Sequence, residues 1–259
     1  MKILLTNDDG ILSPGLWRVA EALKEVGDLT VIAPDRDQSG IGTAMTLLAV
    51  VRAHEIDPHL DGVKAYAVEG TPADCVILAT ESLSGHPFDL VVSGINQGAN
   101  IGMDVLVSGT VGGAFHGYLR GIPSVAVSVA AISDVRFEAA ARTAAELARA
   151  LSRNPPSNPL LLNVNLPNIA AEEIERVEIT RLGSGSFLET VERGHDGRRT
   201  HYWIRHNRPV SARVTEGTDI WAIRNKRVSI TPLDLDFGAR EIRGDFDHFA
   251  HEVAAGLGL

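Results

Sequence analysis

The chain has 259 residues, enough to bury one large core or two small ones, and 44% of them are hydrophobic with few aromatics. Its formal charge of -9 argues against the basic surface that broad polynucleotide binding needs, although one cation and a ring of backbone amides can favour a small anion locally. The single Cys75 excludes an internal disulfide and any multi-thiolate metal site, and no apolar run approaches the roughly 20 residues that span a bilayer. No signal-peptide pattern precedes the first strand, so a cytoplasmic protein without a membrane partner is expected.

Ile3, Leu4 and Leu5 form an apolar run suited to a buried strand, and Asn7-Asp8-Asp9-Gly10 follows at once. Gly10 can take backbone angles closed to other residues, which allows a sharp turn past the strand. Two adjacent carboxylates about 6 Å apart at an effective dielectric of about 20 repel by roughly 3 kcal/mol. Either one is protonated or a cation sits between them. A solvated Asx turn is the plain alternative.

Ser13-Pro14 reads as a helix cap followed by proline at the first helical position, and Leu16, Ala20, Leu23 and Val26 recur at helical spacing up to Gly27. Leu29 to Ala33 is a second strand, ended by Pro34. Strand, helix, strand is the opening of a parallel α/β sheet. The polar stretch Pro34 to Gly42 leaves the carboxyl end of that strand, where ligands bind in open α/β sheets. There Ser39-Gly40 offers a hydroxyl and an unobstructed amide. Leu47 to Arg52 and Lys64 to Val68 read as further strands. Gly70-Thr71-Pro72-Ala73-Asp74 is a helix start with Thr71 as cap.

Asp89 to Ser93 is a buried strand running into a turn at Gly94, and Ile95 to Gly102 is a Gly/Asn-rich loop whose Asn96 offers an amide oxygen to a hard cation. Ser108-Gly109-Thr110 opens a short helix through Tyr118 and Leu119, with the free amides and hydroxyls of a phosphate cradle. It is neither a Walker loop nor a dinucleotide fingerprint. Ser124 to Val129 is a strand, Phe137 to Leu151 an Ala-rich helix, Arg153 to Pro159 a linker, and Leu160 to Val164 another apolar strand. Glu175 to Leu182, His201 to Arg205, Trp221 to Ile223 and Arg227 to Ile230 then alternate like antiparallel strands. Gly183 to Ser186 and the charged run Glu192 to Arg199 punctuate them. A projecting hairpin arm, often an oligomer contact, is the simplest account. Asp245 to Leu257 reads as a final helix. His116 and Cys75 read as packed residues, and His54, His59, His86, His195, His201 and His206 as surface ones.

If the first, second and Asp89–Ser93 strands are parallel neighbours, Asp8, Asp9, Ser39 and Asn96 meet at one edge with Ser108, Gly109 and Thr110 nearby. Two carboxylates, a hydroxyl and an amide oxygen suit Mg²⁺ or Mn²⁺. An anion cradle beside a hard cation suggests phosphate-ester chemistry.

These same stretches carry a resemblance. Leu4 to Gly10, Ala33 to Gly40, Gly70 to Val76, Ser93 to Asn96, Val107 to Val111, Gly217-Thr218-Asp219 and Val228 to Leu233 resemble the SurE survival-protein family, in order along nearly the whole chain. The resemblance implies a Rossmann-like three-layer α/β/α fold with a mostly parallel sheet and a C-terminal arm that builds a homodimer or homotetramer. It implies one domain over residues 1–259, with a core of about 1–170 plus 226–259 and an arm of about 171–225. It also implies a 5′-nucleotidase that hydrolyses nucleoside monophosphates with one divalent cation on Asp8, Asp9, Ser39 and Asn96. Asp8 and Asp9 are then the catalytic pair, the cation acidifies an attacking water, and Asn7, Gly40, Ser108, Gly109 and Thr110 hold or orient the phosphate. The chain departs from the family pattern at Ala99 and at Gly112, Gly113, Phe115 and His116, which bear on the substrate pocket and not on the ligands. Two rivals are open: a phosphatase with an aspartyl nucleophile, and a non-enzymatic nucleotide sensor.

Overall fold

Strands covered on both faces have no wet side, so they read as continuous apolar runs. That is the character of β1 (Lys2–Thr6), β2 (Asp28–Pro34), β5 (Leu90–Gln97), β6 (Ser124–Val129) and β7 (Leu161–Leu166) in the computed structural model. The structure describes residues 1–58, 60–184, 187–209, 214–234, 252–254 and 256. With β4 (Lys64–Val68), these strands form a parallel array in the order β4-β2-β1-β5-β6-β7. β3 (Ala53–Ile56) closes one side antiparallel to β4, and β11 (Arg227–Pro232) extends the other antiparallel to β7.

Helices cover both faces. α1 (Pro14–Lys24) and α4 (Glu138–Arg153) pack together on one side, and α2 (Pro72–Leu78) and α3 (Gly109–Tyr118) on the other. Strand alternation divides β1 between them: Ile3 and Leu5 join the α1/α4 core, whereas Leu4 joins Ile32, Val68, Cys75 and Val76 beneath α2. Ile3, Leu4, Leu5, Leu16 and Leu23 are completely buried, and each such side chain contributes about 1.5–3 kcal/mol. Six alanines form the buried stripe of α4 and let it lie close to α1. The expected three-layer α/β/α arrangement is therefore the one observed.

Chain direction in the sheet is what creates a site. From β1 the chain moves to β2 and β4 on one side, then returns to β5 on the other. The crevice beyond the carboxyl ends of β1 and β5 is thus a topological switch point, where open α/β sheets bind ligands.

Several sequence expectations are corrected. Leu47 to Arg52 is not a strand. β4 ends at Val68, which pairs with Ala53, so residues before Ala53 run past the partner's end, and Leu47, Leu48 and Val50 lie exposed. β5 continues through the expected turn to Gln97, with a register shift against β6 between Gly94 and Asn96, so Asn96 stands on the strand and not in a loop. Trp221 to Ile223 is part of a helix, α5 (Asp219–Arg224), because the Thr218 hydroxyl accepts from the Trp221 amide and caps it.

The strand expected at Glu175 to Leu182 is β8 (Arg176–Ile179), and it runs parallel to β11, not antiparallel. β8 and β11 thereby belong to the nine-stranded sheet. Among the described residues, β9 (Phe187–His195) and β10 (Thr200–Pro209) form a separate two-stranded hairpin within the stretch 171–225. Part of the charged run Glu192 to Arg199 is strand, and the turn is confined to its end. The final helix expected over Asp245 to Leu257 falls mostly outside the described residues; 252–254 and 256 are helical.

Candidate active site

Past β1 the chain folds into a tight turn. The Asn7 side chain is fully buried, and its Nδ2 donates to the Gly10 carbonyl at 3.0 Å. Gly10 has φ +95°, and a Cβ there would come within 3.1 Å of the Arg36 backbone, so turn and close approach both require glycine. The amide of Gln38 donates to the Asp8 carbonyl at 2.8 Å, which fastens the loop after β2 onto this turn.

The two carboxylates lie in unlike surroundings. Asp8 is 3% exposed, and its Oδ1 accepts the Thr110 hydroxyl at 2.5 Å. Burial pushes its carboxyl upward and the Thr110 hydrogen bond opposes this. Asp9 is pushed up to about 7, first by burial and then by the neighbouring charge of Asp8, with the Gln97 amide opposing from 3.4 Å. No cationic side chain among the described residues acts on either carboxyl. That is the condition in which a bound cation gains most, because it relieves both the burial and the repulsion.

Asn96 Nδ2 donates to the Gly98 carbonyl at 2.8 Å, which leaves its Oδ1 as an available ligand. The Ser39 hydroxyl donates to Asp37 Oδ1 at 2.6 Å, and the Ser39 amide donates to the same oxygen at 2.7 Å. Having given its proton away, the hydroxyl oxygen keeps its lone pairs for a cation. The Gln38–Asp8 and Gln97–Asp9 bonds bring the loops from β2 and β5 onto the turn after β1. An all-oxygen donor set of Asp8, Asp9, Ser39 and Asn96 fits a hard divalent ion.

Helix α3 meets the carboxylates end-on. A Cβ on Gly109 would lie 2.8 Å from Asp8 Cβ and 2.9 Å from Asp8 Oδ2, so only glycine lets the helix start come this close. One expected phosphate contact is revised here: the Thr110 hydroxyl donates to Asp8, whereas the Ser108 hydroxyl accepts the Val111 amide at 3.1 Å and keeps its own proton to donate. What the helix start retains for an anion is the Ser108 proton, the Gly109 amide and its dipole, since the Val111 amide is on Ser108 and the Thr110 amide acts on Asp8. Gly40, exposed and with open space around it, keeps its amide available. Asn7, fully buried, orients the turn and has no surface to offer a phosphate.

Sequence reading missed three participants. Asp37 holds Ser39 through two hydrogen bonds and adds its charge to the field at Asp8 and Asp9. Asn163 and Asn165 are fully buried on β7, and both donate to the Asn100 carbonyl, at 2.7 and 3.0 Å. Asn100 returns its amide to Asn165 Oδ1 at 2.9 Å and its Nδ2 to Ser128 Oγ at 2.9 Å. Two asparagines two residues apart in an otherwise apolar strand were the available signal, since buried amides need partners. His116 is buried as expected; its Nε2 contacts the Thr43 carbonyl at 3.1 Å, and burial lowers its proton affinity.

The profile described as Survival protein SurE matches residues 3–189. A protein of Dehalococcoides mccartyi (strain CBDB1) named 5′-nucleotidase SurE is 47% identical over 235 residues, which cover 90% of this chain and 88% of that protein. One of the same name from Nitrosomonas europaea is 42% identical over 237 residues, covering 91% and 94%. The crystal structure of the SurE protein from Aquifex aeolicus superposes with a TM-score of 0.81 at 37% identity and covers 96% of this chain and 100% of that one. The chain belongs to the SurE survival-protein family.

Proposed function

We propose that this protein is a divalent-metal-dependent 5′-nucleotidase that hydrolyses nucleoside monophosphates to nucleoside and phosphate. The observation that carries the reading is the adjacent, mutually repelling carboxylates of buried Asp8 and half-buried Asp9, set against a helix start at the sheet's switch point. Relatives of this chain named 5′-nucleotidase support the choice of substrate class.

Asp8, Asp9, Ser39 and Asn96 would hold one Mg²⁺ or Mn²⁺, which supplies charge neutralisation at the phosphoryl oxygens and a more acidic water. Thr110 keeps the Asp8 carboxylate oriented. Asp37 turns the Ser39 lone pairs outward, and Asn7 holds the turn that presents both aspartates. The Ser108 hydroxyl and the Gly109 and Gly40 amides hold the remaining phosphoryl oxygens, and the helix dipole favours their charge. Removing the phosphate from bulk water strengthens each of these interactions.

The β9–β10 hairpin carries exposed Val191, Tyr202, Trp203 and Ile204, and such a concentration of apolar surface favours a homodimer or homotetramer built through it. Among the described residues no helix is long and apolar enough to cross a membrane.

A screen of phosphate monoesters with EDTA, and with added Mg²⁺ or Mn²⁺, tests the function. Metal-dependent phosphate release from nucleoside monophosphates is expected, nearly abolished in Asp9→Asn. Full activity in that variant or in EDTA refutes the assigned site. Nucleotide binding without turnover refutes the enzymatic reading in favour of a sensor, and a trapped phospho-aspartate replaces the water-attack route.

A further inference from the structure

Asp219 stands outside the site just described, yet it is fully buried and accepts three backbone amides. Its Oδ2 accepts the Gly102 amide at 2.7 Å, and its Oδ1 accepts those of Gly183 and Ile220, each at 2.8 Å. The bonds join three segments far apart in sequence. Gly102 begins the helical turn Gly102–Leu106, which delivers the chain to Ser108 and the start of α3. Gly183 lies past the end of β8, on the way out to the β9–β10 hairpin, and Asp219 lies where the chain has come back from it.

The two roots of the hairpin are also bonded to each other. The Arg181 amide donates to the Gly217 carbonyl at 3.1 Å, and the Asp219 amide donates to the Arg181 carbonyl at 3.0 Å. Gly102 has φ +57°, a conformation that side chains disfavour, so its amide is the handle by which this turn is held. Immediately upstream, Asn100 is fixed from β6 and β7 by four hydrogen bonds. The segment between Asn96 and the helix start is therefore pinned at Asn100 by the sheet and at Gly102 by one carboxylate that also grips the hairpin root.

We infer that Asp219 is a positioning residue that couples the root of the hairpin to the helix start holding the phosphoryl group. Displacement of the hairpin root moves Gly183, Asp219 and Gly102 together and shifts the first turn of α3 relative to Asp8. The metal ligands sit on the turn after β1, the loop after β2 and the end of β5, and the Asp219 carboxylate hydrogen-bonds to Gly102, Gly183 and Ile220 instead. The coupling therefore acts on substrate and not on the cation. This assignment rests on the phosphatase reading for its kinetic test.

Two variants approach the joint from opposite sides. Asp219→Asn keeps the shape and sets an amide N–H₂ against a backbone N–H. Gly183→Ala adds a Cβ that would lie 2.8 Å from Ile220 Cδ1 and 3.0 Å from Asp219 Oδ1, which pushes the carboxylate from the hairpin side. Each is expected to reduce kcat/KM for a nucleoside monophosphate by roughly 100-fold, the effect of a displacement of about 1 Å at a reacting centre. Mn²⁺ affinity measured by calorimetry is expected to stay within about twofold of wild type, and the double variant to lose no more than the worse single one, as for residues sharing one contact.

Wild-type kcat/KM well below the melting temperature refutes the coupling, as do losses that multiply in the double variant or an equal fall in metal affinity. Amide hydrogen exchange over residues 101–109 in Gly183→Ala separates this idea from the function: faster exchange supports the joint even if wild-type protein releases no phosphate. Unchanged exchange refutes the joint even if it does.

Discussion

The burial of Asp9, with the charge of Asp8 beside it, should make the metal-free protein less stable as pH rises. In the folded chain the Asp9 carboxyl titrates at about 7, against an ordinary value of 3.8. Between those values the folded state holds a proton that the unfolded chain has released, so unfolding free energy falls with rising pH and levels off above about 7. Each tenfold change in proton affinity is worth about 1.4 kcal/mol, so this one group removes roughly 4 kcal/mol between pH 4 and pH 8. Burial is the first cause and the Asp8 charge the second, and Asp9→Asn cancels both for that side chain. Urea unfolding of EDTA-treated protein across this range is expected to show the loss in wild type and a smaller one in Asp9→Asn, where only the raised Asp8 carboxyl remains. Added Mg²⁺ should restore wild-type stability at pH 8 and leave the variant nearly unchanged. A flat profile for metal-free wild type refutes the raised Asp9 carboxyl, and equal stabilisation of both proteins by Mg²⁺ refutes Asp9 as a ligand.

Thr110→Val preserves shape but leaves Asp8 Oδ1 buried without its donor. A hydrogen bond to a charged group is worth about 1.5–3 kcal/mol, so a lower urea midpoint of that size with unchanged m-value is expected, and an unchanged midpoint would count against the bond. Gly109→Ala places a Cβ 2.8 Å from Asp8 Cβ and 3.0 Å from Ile41 Cγ2, so the helix start must retreat. At least a tenfold lower kcat/KM is expected, in proportion to what misplacing an anion donor does, and steady-state assay at saturating Mn²⁺ checks it.

Much of the fold is written locally. Thr71 caps its helix as expected, and Asp74 completes a capping box, with the Asp74 amide on Thr71 Oγ1 at 3.1 Å and the Thr71 amide on Asp74 Oδ2 at 2.9 Å. Pro14, Pro72 and Ser108 begin helices where side-chain chemistry says they should. The errors arise where local pattern underdetermines pairing. Alternation in Arg176–Ile179 is the same whether its neighbour runs parallel or antiparallel, and apolar residues at Leu47, Leu48 and Val50 cannot reveal that no strand lies beside them. Thr218-Asp219 was a legible cap signal, overridden by the apolar run behind it.

At the site, the donor types followed from residue identity: adjacent carboxylates, a hydroxyl and an amide oxygen are determined by the sequence alone, and so is the hard cation they suit. Their neighbours are another matter. Thr110 reaches Asp8 across 102 positions, and Asp219 reaches Gly102 across 117. Whether a hydroxyl faces a phosphate or a buried carboxylate depends on which element packs against which, and only the tertiary structure decides that. Chemistry of a side chain is carried by the residue; its protonation, its partners and its freedom to act come from the charges and dipoles that folding brings within a few ångströms of it.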